Sequence, residues 1–198
     1  MIGVFDSGLG GLTVLKAVVK FLPQYSTIYL GDNARTPYGD LDQETIYEFT
    51  AEGITELFKR GAELVILACN TSSSGALRRI QQEFLSDNFP EKNVLGIIIP
   101  TAEEVGEFTK SREVGVLGTK ATVDSLAYTK EIVKVYPEVS VYEQACPLLV
   151  PLIEQGEIDF PEINDLIQIY LNELLAQSLN IDTVILGCTH FAIIEDQI

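Results

Sequence analysis

The sequence predicts an α/β fold built from mainly parallel sheets and arranged in two similar lobes. Short apolar runs alternate with amphipathic stretches of helical length, which is the pattern of a parallel sheet flanked by helices. Two short strings of residues recur, each once in either half of the chain. The 198 residues are 46% hydrophobic, so a sizeable core is available, and at about 150 residues per domain the length allows one domain or two small lobes.

Seven short apolar runs are the predicted strands. In chain order they are Ile2–Phe5, Thr27–Leu30, Leu64–Leu67, Val94–Ile99, Glu113–Leu117, Val139–Gln144 and Thr183–Leu186. Between them, apolar residues with a period of about 3.6 predict helices over Leu41–Arg60 and Asp159–Ser178.

The recurring strings predict the division into lobes. Val65–Thr71 resembles Val184–His190, and Ile2–Ser7 resembles Val114–Thr119 at nearly the same spacing. Buried strands resemble one another in many proteins, so duplication and coincidence both explain the similarity. The predicted lobes are residues 1–98 and residues 99–198.

Composition and charge exclude several classes of protein. With 13 Lys and Arg against 29 Asp and Glu, the formal net charge of −16 opposes binding to a nucleic-acid backbone, which requires basic patches. No apolar run approaches the roughly 18 residues of a membrane span, and the first residues lack the basic start of a secretory signal. Three scattered cysteines favour a reducing compartment, so we expect a cytoplasmic protein without nucleic-acid or membrane partners.

Five loops rich in small polar residues follow predicted strands and lead into helices. They are residues 6–8, 31–39, 69–71, 118–122 and 188–190. Ligands of open α/β sheets bind at the carboxyl ends of the strands, where helix N-termini offer N–H donors to carboxylates or phosphates. The glycines of Gly8–Gly11 match neither the phosphate-binding nor the dinucleotide-binding motif, so we interpret them as a tight turn.

Cys69 and Cys188 are the strongest candidates for chemistry. Each follows an apolar strand and precedes hydroxyl or amide residues at a predicted helix start, a setting that lowers a thiol pKa from its usual value of about 8.5. Inversion of a stereocentre by proton transfer needs a base on one face and an acid on the other, and two thiols can supply both. Cys146 is expected to be a buried core residue, and the spacing of the cysteines disfavours zinc.

Three further polar residues each have two interpretations. Asp6 either caps the following helix or is a buried carboxylate that tunes a neighbouring acid or base. His190, the only histidine, is either structural or orients the cysteine two residues before it. Arg35 either binds a substrate carboxylate or pairs with Asp32 or Asp40.

Taken together, these motifs resemble glutamate racemase, a cofactor-independent amino-acid racemase of bacterial cell-wall synthesis. The resemblance rests on GVFDSGLGGLTVL (3–15), GDNARTPYG (31–39), ACNTSS (68–73), GVLGTKAT (115–122), ACPLLVPLIEQG (145–156) and GCTHF (187–191). It implies two α/β lobes, each a mainly parallel sheet flanked by helices, with the active site in the cleft between them. It also implies interconversion of L- and D-glutamate, with the D isomer supplied to peptidoglycan.

The resemblance implies roles for individual residues as well. Cys69 and Cys188 would be the acid–base pair, assisted by Asp6, His190 and Glu154. The glutamate site would be lined by Asp6, Ser7, Pro37, Tyr38, Gly39, Cys69, Asn70, Thr71, Thr119, Thr122, Cys188, Thr189 and His190. A homodimer that uses no cofactor and no metal is implied too.

Other functions stay open at this point. Members of the family continue beyond the second cysteine motif and complete the first lobe, whereas this chain ends at Ile198, so we expect an uncovered face and sheet edge. The alternatives are a racemase for another amino acid such as aspartate, and a binding protein that retains the fold without the activity. A thiol redox enzyme is disfavoured because no C-x-x-C motif is present.

Overall fold

The computed structural model describes residues 1–158 and 161–198, which form two parallel β-sheets with helices around them. The first sheet contains β1 (Ile2–Asp6), β2 (Thr27–Gly31), β3 (Leu64–Leu67) and β4 (Asn93–Gly96), in the order β2-β1-β3-β4. The second contains β5 (Glu113–Gly118), β6 (Ser140–Ala145) and β7 (Thr183–Gly187), in the order β6-β5-β7. Every strand pair is parallel, as the sequence predicts.

Ten α-helical segments connect and cover these strands in the described part of the chain. They are α1 (Leu12–Phe21), α2 (Gln43–Lys59), α3 (Asn70–Gly75), α4 (Leu77–Arg79), α5 (Leu85–Asn88), α6 (Ile98–Glu104), α7 (Lys120–Ser125), α8 (Ala127–Val135), α9 (Leu149–Glu154) and α10 (Pro161–Gln177). A π-helical stretch, Ile80–Phe84, joins α4 to α5. None of the described helices is long and apolar enough to cross a membrane.

Three strands of each lobe share one order, and β4 of the first sheet has no counterpart in the described part of the second. β1 and β5 each lie between two neighbours, with β3 and β7 on one side and β2 and β6 on the other. The strings that recur in the sequence therefore occupy equivalent positions in the two sheets. Cys69 follows β3 and Cys188 follows β7, so both cysteines lie at the carboxyl ends of equivalent strands.

Each lobe has its own apolar core. In the first lobe α2 packs Ile54 and Leu57 against Phe5 of β1, and all three side chains are buried. In the second lobe α10 buries Ile163 and Leu174. A buried strand such as β1 is read in the sequence as a continuous apolar run, which is typical of parallel sheets covered on both faces.

Most predicted strands are confirmed to within one or two residues, and one is wrong at its end. The sequence predicts a single strand over Val94–Ile99, but β4 ends at Gly96 and α6 begins at Ile98. The N–H of Ile97, just after the strand, donates to Ser73 Oγ at 3.3 Å instead of to a neighbouring strand. Pro100 lies in the first turn of α6, where a missing N–H removes no helical hydrogen bond.

The two predicted helices are present with shorter bounds. The stretch Leu41–Arg60 contains α2, whose N-cap Asp42 accepts a hydrogen bond from the N–H of Thr45 at 3.0 Å. The stretch Asp159–Ser178 contains α10, and Asp159 lies outside the described residues. The predicted division between residues 98 and 99 falls at the start of α6, which packs against α8 of the second lobe.

Candidate active site

The candidate site lies where the carboxyl ends of the two sheets meet. Cys69 is the N-cap of α3, and its Sγ accepts a hydrogen bond from the N–H of Ser72 at 3.4 Å. The Cys69 thiol donates in turn to Ser7 Oγ, 3.5 Å away, on the loop that follows β1. Neighbouring strands β1 and β3 thus place a thiol and a hydroxyl side by side.

Cys188 has a different set of partners in the second lobe. Its Sγ lies 3.7 Å from His190 Nδ1, and the other ring nitrogen of His190 pairs with the carboxylate of Glu154. Glu154 also accepts a hydrogen bond from the N–H of Leu9 at 3.0 Å, across the gap between the lobes. Of the two interpretations of His190, the geometry favours the one in which it orients Cys188.

Asp6 is buried between the two cysteine loops. Its carboxylate accepts hydrogen bonds from the N–H of Gly8 at 3.0 Å and from Thr189 Oγ1 at 3.2 Å. The capping interpretation is wrong, because α1 begins after Gly11 and receives no side-chain cap. Asp6 instead holds the Gly8–Gly11 turn and a residue of the opposite lobe, and burial raises the pKa of its carboxyl group despite the opposing influence of His190.

The predicted lowering of both thiol pKa values is wrong. Burial raises the pKa of Cys69, and the nearby Asp6 carboxylate raises it further, although Ser7 and the start of α3 act in the opposite direction. Burial is also the main reason that the pKa of Cys188 is raised, with Cys69 and Asp6 adding to the effect. The sequence reveals the helix N-termini but not the desolvation, which outweighs them.

A chain of hydroxyl groups joins the lobes beside Cys69. Thr71 Oγ1 lies 2.9 Å from Thr119 Oγ1, and Thr119 donates to Thr122 Oγ1 at 3.0 Å. Thr119 is also the N-cap of α7. Gly39 abuts Thr119, because a Cβ added at Gly39 would lie 2.8 Å from Thr119 Cβ. These residues place hydroxyl groups and helix N-termini next to the cysteines.

The residues of the 31–39 loop are distributed between the site and the core. Pro37 lines a narrow gap between the lobes together with Thr119. The Tyr38 ring is buried in the first-lobe core against Phe5, and its hydroxyl donates to Asp32 at 2.5 Å. Tyr38 therefore supports this loop from within and does not present its hydroxyl to the cleft.

Arg35 belongs to the same loop and has two acidic partners. Its guanidinium pairs with Asp32 at 2.6 Å and with Glu52 at 2.6 Å, and it lies over the ring of Phe49. Pairing with Asp32, one of the predicted alternatives, is confirmed. Binding to a ligand carboxylate would require Arg35 to leave both partners.

The structure agrees with the prediction for Cys146 and adds Tyr128, which the sequence does not indicate. Cys146 is fully buried in the second-lobe core, as expected. Tyr128 was not predicted as a functional residue, yet its hydroxyl donates to Asn70 Oδ1 at 2.6 Å. A single tyrosine on the buried face of an amphipathic helix has the sequence signal of a core residue, so no motif indicates this contact.

Comparison with known proteins identifies the family to which the chain belongs. The sequence pattern of the Asp/Glu/Hydantoin racemase family matches residues 2–198. A glutamate racemase of Geobacter metallireducens is 44% identical over 194 residues, which cover 98% of this chain and 69% of that protein. This chain belongs to the Asp/Glu/Hydantoin racemase family. The match covers 64% of a glutamate racemase of Picosynechococcus and 74% of one of Jannaschia.

Solved structures of the family have the same fold. Glutamate racemase isoform RacE1 from Bacillus anthracis superposes with a TM-score of 0.89 at 35% identity, over 100% of this chain and 71% of that one. Glutamate racemase from Francisella tularensis, solved in complex with D-glutamate, superposes with a TM-score of 0.85 at 37% identity. That match covers 99% of this chain and 71% of the Francisella chain. The two-lobed parallel architecture is thus shared with racemases of known structure.

Proposed function

We propose that the protein interconverts L- and D-glutamate without a cofactor, with Cys69 and Cys188 as the acid–base pair. The observation that carries the proposal is the pair of buried thiols at equivalent strand ends in the two lobes. Membership of the racemase family supports the reaction class, and the Francisella relative that binds D-glutamate supports the substrate.

In the proposed mechanism, one cysteine is a thiolate and the other a thiol when glutamate is bound between them. The thiolate removes the proton from Cα, and the opposite thiol then donates its proton to the other face of the carbanion. The first cysteine ends as a thiol and the second as a thiolate, so the reverse reaction uses the same groups in exchanged roles. No electron is gained or lost by the protein.

Because the pKa values of both thiols are raised in the empty site, the substrate itself must help to form the thiolate. In the empty site burial favours the neutral thiols. The α-ammonium group of glutamate brings a positive charge into the same low-dielectric space, where an opposite charge stabilises a thiolate. His190 Nδ1, 3.7 Å from Cys188 Sγ, is placed to accept the proton released by Cys188, and Asp6 is the buried carboxylate whose charge acts on Cys69.

Neutral donors suit the two carboxylates of glutamate. Ser7, Thr71, Thr119 and Thr189 are buried hydroxyl residues next to the cysteines, and α3 and α7 begin beside them. Uncharged N–H and O–H donors at helix starts bind anions without the desolvation cost of an added lysine or arginine. We further propose that the D-glutamate serves peptidoglycan synthesis in the cytoplasm and that the enzyme is a homodimer, which sedimentation at working concentration checks.

The decisive experiment follows the circular dichroism of L-glutamate, and separately of D-glutamate, during incubation with the 198-residue chain. Decay of both signals to zero without added cofactor is the expected result. L-aspartate is the specificity arm, and its signal is expected to persist. A folded, monodisperse sample that leaves both glutamate signals unchanged would overturn the proposed activity.

Cysteine variants test the mechanism in the same assay. Cys69→Ser and Cys188→Ser are each expected to abolish racemisation while the far-ultraviolet spectrum stays that of the wild type. Cys146→Ala is the matched control, because Cys146 lies in the second-lobe core, and it is expected to retain turnover. Full turnover by either serine variant contradicts the two-thiol mechanism.

A further inference from the structure

Tyr128 connects the two cysteine loops although it belongs to neither. It lies on α8 of the second lobe and is 1% exposed. Its hydroxyl donates a 2.6 Å hydrogen bond to Oδ1 of Asn70, which directly follows Cys69 in the first lobe. The contact crosses between the lobes and is itself buried.

The ring of Tyr128 packs against the second cysteine loop. Gly187 directly precedes Cys188, and a Cβ added at Gly187 would lie 3.1 Å from Tyr128 Cε2. The absence of a side chain at Gly187 lets the ring approach the end of β7. One side chain thus touches the residue after Cys69 with its hydroxyl and the residue before Cys188 with its ring.

The hydrogen bond also fixes the orientation of the Asn70 amide. Burial raises the pKa of Tyr128, so its hydroxyl stays protonated and donates to the carbonyl oxygen of the Asn70 amide. With Oδ1 occupied, Nδ2 becomes the group that Asn70 can offer to a ligand. Within the described part of the chain, Nδ2 has no hydrogen-bond partner, and Asn70 is 5% exposed.

We propose that Tyr128 is a positioning residue that holds the Asn70 amide with its N–H donors directed at a carboxylate of the bound amino acid. The role rests on the proposed function, because it needs an anionic ligand between the cysteines. Tyr128 does not touch the reacting atoms and acts through Asn70. The packing of the ring against Gly187 keeps the hydroxyl in position to hold the Asn70 amide.

The substitution Tyr128→Phe removes the hydroxyl and retains the ring. Without the hydrogen bond the Asn70 amide can rotate, so we expect KM for glutamate to rise and kcat/KM to fall about tenfold, with a smaller change in kcat. Tyr170→Phe is the matched control, since Tyr170 is a mostly buried tyrosine of the second-lobe core. It is expected to leave KM unchanged even where it lowers thermal stability.

A double-mutant cycle with Asn70→Ala separates positioning from general stability. If Tyr128 acts through Asn70, Tyr128→Phe has no further effect on KM once Asn70 is alanine. If Tyr128 were merely structural, Tyr128→Phe would raise KM or lower stability by the same factor in the wild-type and Asn70→Ala backgrounds. Equal effects in the two backgrounds, or a KM for Tyr128→Phe like that of Tyr170→Phe, would overturn the proposal.

A measurement without turnover keeps this proposal distinct from the proposed function. The side-chain amide resonances of Asn70, assigned by their loss in Asn70→Ala, are expected to shift in Tyr128→Phe and to stay in place in Tyr170→Phe. A wild-type chain that lacks racemase activity overturns the proposed function, and these resonances then decide the role of Tyr128. Unshifted resonances in Tyr128→Phe would show that the tyrosine does not hold the amide.

Discussion

Gly8 belongs to the loop after β1 and lies directly against the carboxylate of Glu154. A Cβ added at Gly8 would lie 2.1 Å from Glu154 Oε1 and 3.1 Å from His190 Nε2. Alanine at this position must therefore displace the carboxylate that pairs with the only histidine. Replacing Gly8 of the first lobe by alanine should therefore disturb the groups around Cys188 in the second lobe.

Gly8→Ala is expected to reduce kcat/KM for glutamate by about 100-fold, since misplacement of a catalytic group by about 1 Å has effects of that size. Steady-state kinetics by circular dichroism measures the loss. Gly75→Ala is the control, because a Cβ there meets Ile46 at an ordinary 3.4 Å and alanine favours helix over glycine. Kinetics of Gly8→Ala equal to those of Gly75→Ala would contradict the steric argument.

The sequence predicts the position of a candidate residue well where the signal lies in neighbouring residues. Cys69 and Cys188 are recognisable because each cysteine directly follows a strand and precedes polar residues. The direction of their pKa shifts is wrong because it depends on burial by distant parts of the chain. The contact between Tyr128 and Asn70 joins residues from two lobes, and no spacing in one sequence reveals such a pair.

At the scale of single elements, α2 shows how one side chain fixes a helix boundary. Asp42 accepts hydrogen bonds from the N–H and the Oγ1 of Thr45, which lowers the pKa of the Asp42 carboxyl group. A carboxyl with a lowered pKa in the folded state stabilises the fold above its ordinary pKa of about 3.8, and the contribution is lost as the pH falls through the lowered value. The cap is therefore strongest near neutral pH.

Asp42→Ala is expected to lower the urea midpoint of unfolding at pH 7, while Asp42→Asn retains most of the wild-type value because asparagine is a good N-cap. The difference between wild type and Asp42→Ala should shrink as the pH is lowered below about 3.8. Urea titrations at several pH values measure both effects. A difference that grows on acidification would show that the carboxylate is not the stabilising form.

Element boundaries are predicted well where the chain itself carries the signal. β3 is predicted with its observed bounds, and α2 lies within its predicted stretch because its period and its cap are both local. The sequence predicts Ile98 and Ile99 as part of a strand because they extend an apolar run. The strand instead ends at Gly96, and the next N–H, that of Ile97, donates to Ser73 of α3, 24 residues earlier in the chain.

Across the whole molecule, hydrogen bonds between the lobes couple their stabilities. Asn70 and Tyr128 form one hydrogen bond between the lobes, Thr71 and Thr119 form another, and Glu154 reaches the loop after β1. Loss of the first-lobe fold would leave these groups unpaired in the second lobe. The lobes are therefore expected to unfold together.

Leu57→Ala tests this coupling from the centre of the first-lobe core. Leu57 is fully buried, so its truncation should cost about 2–5 kcal/mol of unfolding free energy. Hydrogen exchange is expected to accelerate in strands of both lobes, including β5 of the second sheet. Leu179→Ala is the matched control, because Leu179 is 90% exposed. Acceleration confined to the first sheet would show that the lobes unfold independently.

In the proposed mechanism, the matching order of the strands places Cys69 and Cys188 on opposite faces of the substrate carbanion. A carbanion held between Cys69 and Cys188 would see a thiol on either side, so the frame itself has no preference for one mirror image. A difference in kcat between the two directions is expected from the neighbours that differ, among them Ser7 beside Cys69 and His190 beside Cys188. An enzyme biased toward one enantiomer in its rates would be sought first among changes at those two unlike neighbours.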